Sequence, residues 1–207
     1  MARYLVPKSR TRVETRAGNS RFITTIARAD TAAAAREFLR GVREEMPDAA
    51  HHVYAYIVGF GGSVTEGMSD DGEPAGTSGP PTMAVLRGAK IGDIALVTTR
   101  YFGGTKLGTG GLVSAYTAAA QAGLAALETE ERVERVRLAV EVPYAIYELV
   151  KRALADFESR AIEEDFGAQV RLQFEMPVER VEELRKIIGD LSNGSCAVLG
   201  DEGSGEL

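Results

Sequence analysis

The sequence predicts an α+β protein of two domains, and three observations support this. Segments of helical and strand periodicity follow one another along the 207 residues. From residue 133 onward their predicted order is strand, helix, strand, strand, helix, strand, which is the split βαβ layout of a ferredoxin-like domain. Charge also divides the chain, because residues 1–133 carry 15 Lys/Arg and 14 Asp/Glu, whereas residues 134–207 carry 9 and 16. We therefore predict a first domain over 1–132 and a ferredoxin-like domain over 133–207.

In the first domain, regular structure is predicted to begin with a strand at 21–28 (RFITTIAR). A helix follows, which Asp30 is expected to cap and Pro47 to end. The alternating segment HHVYAYIVGF (51–60) predicts a second strand. The segment GFGGSVTEG (59–67) that overlaps its end is predicted to be a glycine-rich turn.

The rest of the first domain is predicted to be two special loops set between regular elements. SDDGEPAGTSGPP (69–81) is too rich in Gly and Pro for a helix or strand, and it leads into a predicted helix at 82–90. The continuous apolar run at 94–99 is typical of a buried strand. It leads into the loop RYFGGTKLGTGG (100–111), which precedes a predicted helix at 110–128.

The second domain is predicted to contain four strands and two helices. The strands are 137–143, 160–166, 168–177 and 195–202, and the helices are 144–157 and 178–193. Cys196 falls in the last strand and is interpreted as a small core residue. Because it is the only cysteine, an intrachain disulfide is excluded, and with only His51 and His52 beside it a structural zinc site cannot be assembled.

Composition and charge limit the class of partner. No apolar run approaches the ~20 residues of a membrane span, and no hydrophobic signal segment follows the first charges, so we expect a cytoplasmic protein without a membrane partner. The net charge of −6 argues against nucleic acid for the chain as a whole. Residues 1–28, however, carry seven Lys/Arg against Glu14 alone. This basic arm or edge is equally consistent with phosphate contact and with solvated charge at a chain end.

The loop at 100–111 has the composition of an anion site. Gly104, Gly108, Gly110 and Gly111 would let backbone amides approach a ligand closely, and Thr109 could cap the following helix. Arg100 and Lys106 could supply positive charge to the same phosphate or carboxylate. The loop does not match GxxxxGK[ST], and GTGGLV lacks the last glycine of GxGxxG. A tight strand-to-helix turn is the alternative interpretation.

The acidic loop brings Ser69, Asp70, Asp71 and Glu73 into the same domain. Its carboxylates could bind Mg²⁺ weakly through Asp70 and Asp71, orient a basic side chain, or act as a general base. A solvated turn is the alternative. We expect Asp70 or Asp71 to form ion pairs with Arg100 and Lys106. His51 is interpreted as a structural hydrogen-bonding residue rather than a site residue.

These two loops, with HHVYAY and SRF upstream, resemble the IMPACT N-terminal domain family in its bacterial, two-domain form. The resemblance implies a ribosomal protein S5 domain 2-like first domain and a second domain similar to the C-terminal domain of elongation factor G. It also implies a part in translation regulation and carries no catalytic assignment. The family's signature falls on the two loops, at Ser69 to Pro74, Gly76, Arg100 to Gly104, Lys106 to Gly108, and Gly110 to Leu112.

The favoured hypothesis is a binding module for RNA or the ribosome that needs no cofactor and is not an enzyme. Its proposed phosphate-binding and stacking residues are Arg21, Arg100, Tyr101, Phe102, Gly103, Gly104, Lys106, Gly108, Thr109, Gly110 and Gly111. One alternative is an enzyme that binds a phosphate or nucleotide on the glycine-rich loop. Another is a regulator that binds a protein partner of translation control at the same two loops.

Overall fold

The computed structural model describes residues 3–200. The chain divides into two compact units, one of Tyr4–Arg132 and one that holds Arg3 and the residues from Val133 onward. The elements up to Val133 are β1 (Arg3–Pro7), β2 (Thr11–Ala17), β3 (Ser20–Arg28), α1 (Ala32–Glu45), β4 (His51–Phe60), β5 (Ser63–Ser69), α2 (Gly79–Ala89), β6 (Ile94–Tyr101), α3 (Gly108–Ala125) and β7 (Thr129–Val133). Those that follow are β8 (Arg135–Val142), α4 (Tyr144–Asp156), β9 (Arg160–Phe166), β10 (Val170–Pro177), a 3₁₀ turn at Val178–Arg180, α5 (Val181–Leu191) and β11 (Val198–Gly200). No helix in this described part is long and apolar enough to cross a membrane.

The first unit is built on an antiparallel five-stranded sheet in the order β2-β3-β6-β4-β5. Side chains of α2 and α3 cover one face, where Met83 and Leu86 pack with Leu96. Helix α1 covers the other face and packs Val42 against Val97. Because β6 lies at the centre with both faces covered, its apolar run is continuous, as predicted for a buried strand.

Two local differences from the predictions have physical reasons. Thr31, not Asp30, caps α1, since its side chain accepts a hydrogen bond from the amide of Ala34 over 3.0 Å. The predicted turn at 59–67 is largely the strand β5. Gly67 lies within that strand, where glycine is required because the ring of Tyr56 occupies the space of a side chain. An added Cβ would lie only 2.4 Å from the ring.

The basic N-terminal segment is strand rather than an extended arm. Strands β1 and β7 form a two-stranded sheet, and β2 is an edge of the five-stranded sheet. Its charges are largely paired: Arg12 binds Glu45, and both Arg16 and Arg21 bind Glu14. The basic residues of β2 are therefore held at a sheet edge, and Arg21 lies on the next strand, β3.

The second unit has the predicted order of elements, in a sheet of order β11-β8-β10-β9 whose pairs are antiparallel. Helices α4 and α5 pack Val150, Leu184 and Ile188 on one face of this sheet. Strand β11 is shorter than predicted within the described residues, and 201–202 lie outside them. Cys196 precedes the strand and packs, partly buried, against this core.

Candidate functional site

The glycine-rich loop connects the end of β6 to the start of α3, and its shape requires glycine at particular positions. A Cβ on Gly103 would lie 2.0 Å from the carbonyl oxygen of Asn19, so the close approach of the two chains excludes any side chain there. Gly104 and Gly108 have φ of +84° and +74°, in the left-handed region that glycine adopts without strain. This part of the expected anion loop is thus explained by packing and backbone conformation.

Helix α3 begins at Gly108 without a side-chain cap. Leu107 occupies the capping position and its side chain makes no capping hydrogen bond, and the first turn holds no acidic residue. Thr109 lies inside the helix, so its predicted role as the cap is wrong. The first amide groups of a helix point outward and carry partial positive charge, and here no side chain of the cap satisfies them.

Arg100 is buried and forms an ion pair. Its Nη1 donates to Oε1 of Glu73 over 2.7 Å, and its Nη2 donates to Oγ of Ser20 over 3.3 Å. The guanidinium carbon lies 5.5 Å from the ring centres of both Phe22 and Phe102. Its Nε has no hydrogen-bond partner among residues 3–200. The sequence predicts that Arg100 supplies positive charge to a bound anion. In the structure its guanidinium is buried and already paired, so it is not exposed to solvent.

Glu73 is the centre of this buried cluster. The hydroxyl of Tyr116, on α3, donates to the same Oε1 over 2.7 Å. Burial, and then this hydrogen bond to a carboxylate, raise the pKa of Tyr116 far above its ordinary value, so the phenol stays protonated. Nε2 of His51 lies 3.9 Å from Oε2 of Glu73. Glu73 thus joins the acidic loop to β6, to α3 and to β4.

Asp70 closes the start of α2. Its carboxylate accepts hydrogen bonds from the amides of Gly76, Ser78 and Gly79 over 2.8, 3.0 and 2.8 Å, and from Oγ of Ser78 over 2.7 Å. Burial opposes ionisation, but these four donors outweigh it and hold the pKa of Asp70 below its ordinary value. Asp70 therefore serves as a remote cap for the helix.

Asp71 fixes the turn of the acidic loop against β4 and α1. It has φ of +46°, and its amide donates to Oγ of Ser69 over 3.1 Å. Its carboxylate accepts from the amide of His52 over 2.6 Å and pairs with Arg43. Nδ1 of His51 donates to the carbonyl oxygen of Asp71 over 2.8 Å, which is the structural hydrogen bond interpreted from the sequence.

The predicted ion pairs of Asp70 or Asp71 with Arg100 and Lys106 are wrong. Backbone amides and Arg43 occupy those two carboxylates, and Arg100 pairs with Glu73 instead. The same contacts argue against weak Mg²⁺ binding by Asp70 and Asp71, because the oxygens of both carboxylates already accept hydrogen bonds. Within residues 3–200 no group of three or more His, Cys, Asp or Glu is placed to hold a metal.

The remaining predicted site residues form a small exposed surface. Phe102 is 51 % exposed, and Lys106 is exposed and has no ion-pair partner among residues 3–200. Gly108 to Gly110, the exposed first residues of α3, follow directly. We call Phe102, Lys106 and Gly108 to Gly110 the α3 entry surface. Arg21 lies over the ring of Tyr101, 5.4 Å from its centre, and also binds Glu14.

Sequence reasoning named Glu73 but not its role, and it missed Ser20 as a partner of Arg100. It also missed the hydrogen bond that Tyr116 of α3 donates to Glu73. The available signal was a tyrosine on a helix face otherwise formed by Leu, Ala and Gly, because a buried hydroxyl needs a hydrogen-bond partner.

Fold and site together define a two-unit α+β protein in which an acidic loop and a glycine-rich loop are joined by a buried ion pair. The model of the Impact N-terminal domain matches residues 18–124, and that of a domain of unknown function, DUF1949, matches residues 140–195. The chain therefore belongs to the IMPACT family.

Its relatives extend this similarity over nearly the whole chain. The IMPACT family member YigZ of Escherichia coli strain K12 is 36 % identical over 98 % of this chain and 100 % of its own length. An IMPACT family member of Haemophilus influenzae is 36 % identical over 96 % of this chain and 97 % of its own. A crystal structure of a protein described as hypothetical, 36 % identical, superposes with a TM-score of 0.71 over 99 % of this chain and 100 % of its own. These similarities indicate no specific activity.

Proposed function

We propose that the chain binds single-stranded RNA, free or on the ribosome, through the α3 entry surface, and that it acts in translation regulation. The observation that carries the proposal is that one short segment holds an exposed aromatic ring, Phe102, a lysine without an ion-pair partner among residues 3–200, and a helix start without a side-chain cap. Stacking surfaces next to positive charge are the usual elements of single-strand recognition.

Phe102 supplies the stacking surface. The guanidinium of Arg100 lies against its ring, and Arg100 is itself fixed by Glu73 and Ser20. Because the guanidinium restrains one face of the ring, the Phe102 side chain loses little conformational entropy when a base stacks on the other face. Arg100 is therefore a positioning residue in this proposal, in place of the direct phosphate contact expected from the sequence.

Lys106 and the first amides of α3 supply the phosphate contact. Both carry positive charge or partial charge and lie a few residues from Phe102 along one loop. Arg21 and Tyr101 extend the surface toward β3, where Arg21 also pairs with Glu14. Phosphate oxygens would compete with that exposed carboxylate, so Arg21 is a secondary contact.

The two alternatives share this surface. A nucleotide-dependent enzyme would need carboxylates that can take Mg²⁺, and Asp70 and Asp71 already accept hydrogen bonds from amides. A protein-interaction regulator would use Phe102 as an apolar anchor and would not need a phosphate. With RNA binding we also propose an S5 domain 2-like fold for the first unit, a ferredoxin-like fold for the second unit, and a cytoplasmic location. The strand order β11-β8-β10-β9 supports the second of those folds.

The test is fluorescence anisotropy of a labelled single-stranded oligouridine across a salt series. Phe102→Ala should weaken binding by the ~1–3 kcal/mol of one stacked base. Lys106→Ala should reduce the slope of log K against log salt by about 0.7, the value for one lost phosphate contact on a single strand. Lys186→Ala, which removes an exposed lysine of α5, is the matched control and should change neither quantity.

Two results would overturn the proposal. One is binding that does not respond to salt, because phosphate contacts release counterions. The other is an equal effect of Lys106→Ala and Lys186→Ala, which would mean that only the overall charge of the chain matters.

A further inference from the structure

The edge strand β9 of the second unit has three features of a peptide-binding edge. It is the outermost strand of the sheet and pairs on one side only, with β10. The ladder passes over Ile162, so its regular part runs from Glu163 to Phe166. Phe166 is 56 % exposed and Ile162 is 45 % exposed. Backbone groups on the outer side of such a strand are open to another chain.

Strand β9 itself has a net negative charge, because it carries Glu163, Glu164 and Asp165 against Arg160. Glu163 pairs with Gln173 and Asp165 with Arg171 in the register of β9 and β10, so both acids lie on the sheet face away from the helices. Both are exposed, and neither has an ion-pair partner within residues 3–200. Like charges on facing edges repel, so this strand disfavours pairing with a second copy of itself. The same charge attracts a basic strand.

On the helix-facing side of β9 lies a small, largely apolar cavity, which the ion-paired Lys151 and Glu164 also border. It has a volume of about 200 Å³ and is bordered by α4, β9 and β10. Its lining includes Leu154, Ala155, Ala161, Leu172 and Phe174. Because ligand pockets typically have volumes of ~300–1,000 Å³, this cavity suits one side chain rather than a small molecule.

From these features we propose that β9 binds an extended basic polypeptide by strand addition. The added strand would form main-chain hydrogen bonds with Glu163 to Phe166. Its alternate side chains would be Lys or Arg facing Glu163 and Asp165, and an apolar residue entering the cavity beside Ala161. Backbone pairing gives affinity in this mode, and alternate side chains give specificity. None of these residues belongs to the α3 entry surface, so the proposal does not depend on RNA binding.

The probe is a labelled alternating Lys-Val hexapeptide, with an alternating Glu-Val hexapeptide for comparison, measured by anisotropy with the full chain. The Lys-Val peptide should bind, and the Glu-Val peptide should not. Glu163→Gln with Asp165→Asn should weaken binding at least tenfold, which corresponds to about 1.4 kcal/mol. Glu148→Gln with Asp190→Asn removes the same charge from exposed positions of α4 and α5, and should leave binding within twofold.

A second probe separates strand addition from simple charge attraction. A Lys-Val peptide whose backbone amides are all N-methylated keeps its charge but loses the amide donors needed for pairing. Loss of binding on methylation supports strand addition. Equal binding of the methylated peptide, equal effects of the two double variants, or no binding of the Lys-Val peptide would each overturn the proposal.

Discussion

The guanidinium of Arg100 and the carboxylate of Glu73 form a buried ion pair, with 2.7 Å between Nη1 and Oε1 and a separation of 27 positions in the chain. Glu73 lies in the acidic loop, and Arg100 lies in β6 directly before the glycine-rich loop. Their pairing explains how the loops are held together, and it makes both side chains part of the fold before any ligand is considered.

Arg100→Ala should therefore act mainly on stability. Removing one partner leaves the other charge buried and unpaired, which typically costs about 3–5 kcal/mol. Urea unfolding followed by circular dichroism measures this loss. Arg87→Ala breaks the ion pair with Glu66 on the surface and should change stability little. Similar losses for the two variants would contradict a structural role of the Arg100 pair.

Tyr116→Phe removes one donor from Glu73 and leaves the ion pair in place. We expect a loss of about 1.5–3 kcal/mol, the range for a hydrogen bond to a charged group. The matched control is Tyr54→Phe, because the hydroxyl of Tyr54 makes no hydrogen bond within residues 3–200. Chemical denaturation of both variants at pH 7 compares them. Tyr116→Phe with the stability of wild type would show that Glu73 finds a replacement donor.

Gly103→Ala and Gly110→Ala should have opposite effects, although both lie in the same loop region. An added Cβ on Gly103 meets the Asn19 carbonyl oxygen at 2.0 Å, which only a backbone shift can relieve. A Cβ on Gly110 meets no atom within 4 Å. Alanine there should stabilise the helix by about 0.5–1 kcal/mol, because it restricts the unfolded chain. Thermal unfolding should show a lower midpoint for the first variant and an equal or higher one for the second.

Asp70 should make stability depend on pH in the acid range. Its pKa is lower in the folded chain, so the folded state favours the carboxylate. The stabilisation is complete above the ordinary aspartate pKa of about 3.9 and is lost as pH falls through the lower folded value. Asp70→Asn should cost about 1–2 kcal/mol at pH 7, and the difference from wild type should shrink below about pH 5.

The measurement is urea unfolding of wild type and Asp70→Asn between pH 7 and pH 3. Asp165→Asn is the comparison, since it removes the same charge from a carboxylate that has no partner in the described part of the chain. A difference for Asp70→Asn that stays constant over the whole range would mean that its hydrogen bonds do not favour the ionised form.

Periodicity in the sequence was sufficient for most of the fold. The continuous apolar run at 94–99 is the centre of β6, and the six elements after β7 occur in the predicted order. Strands β1, β2 and β7 correspond to no predicted element, and β5 was missed because Gly61, Gly62 and Gly67 together have the composition of a turn. In the structure Gly61 and Gly62 form the turn, and Gly67 gives room to the ring of Tyr56.

The partners within the site could not be predicted in the same way. Charge and loop composition select candidate residues, but they do not state which acid meets which base. The pairs expected from charge, Asp70 or Asp71 with Arg100, do not form. Asp70 accepts hydrogen bonds from three amides near the start of α2, and Asp71 pairs with Arg43. Such choices depend on tertiary distances, and those follow from sheet order rather than from local sequence.

The order β2-β3-β6-β4-β5 also has a consequence for how the chain is made. Strands β3 and β4 emerge from the ribosome before the strand that joins them, and β3 pairs Arg21 with Tyr101. Until Ile94–Tyr101 has been synthesised, the first unit consists of two separate hairpins, which are at best marginally stable. A nascent chain stalled before Ile94 would therefore expose strand edges to proteases and chaperones. The sheet can close only after β6 has also been synthesised and has left the ribosome.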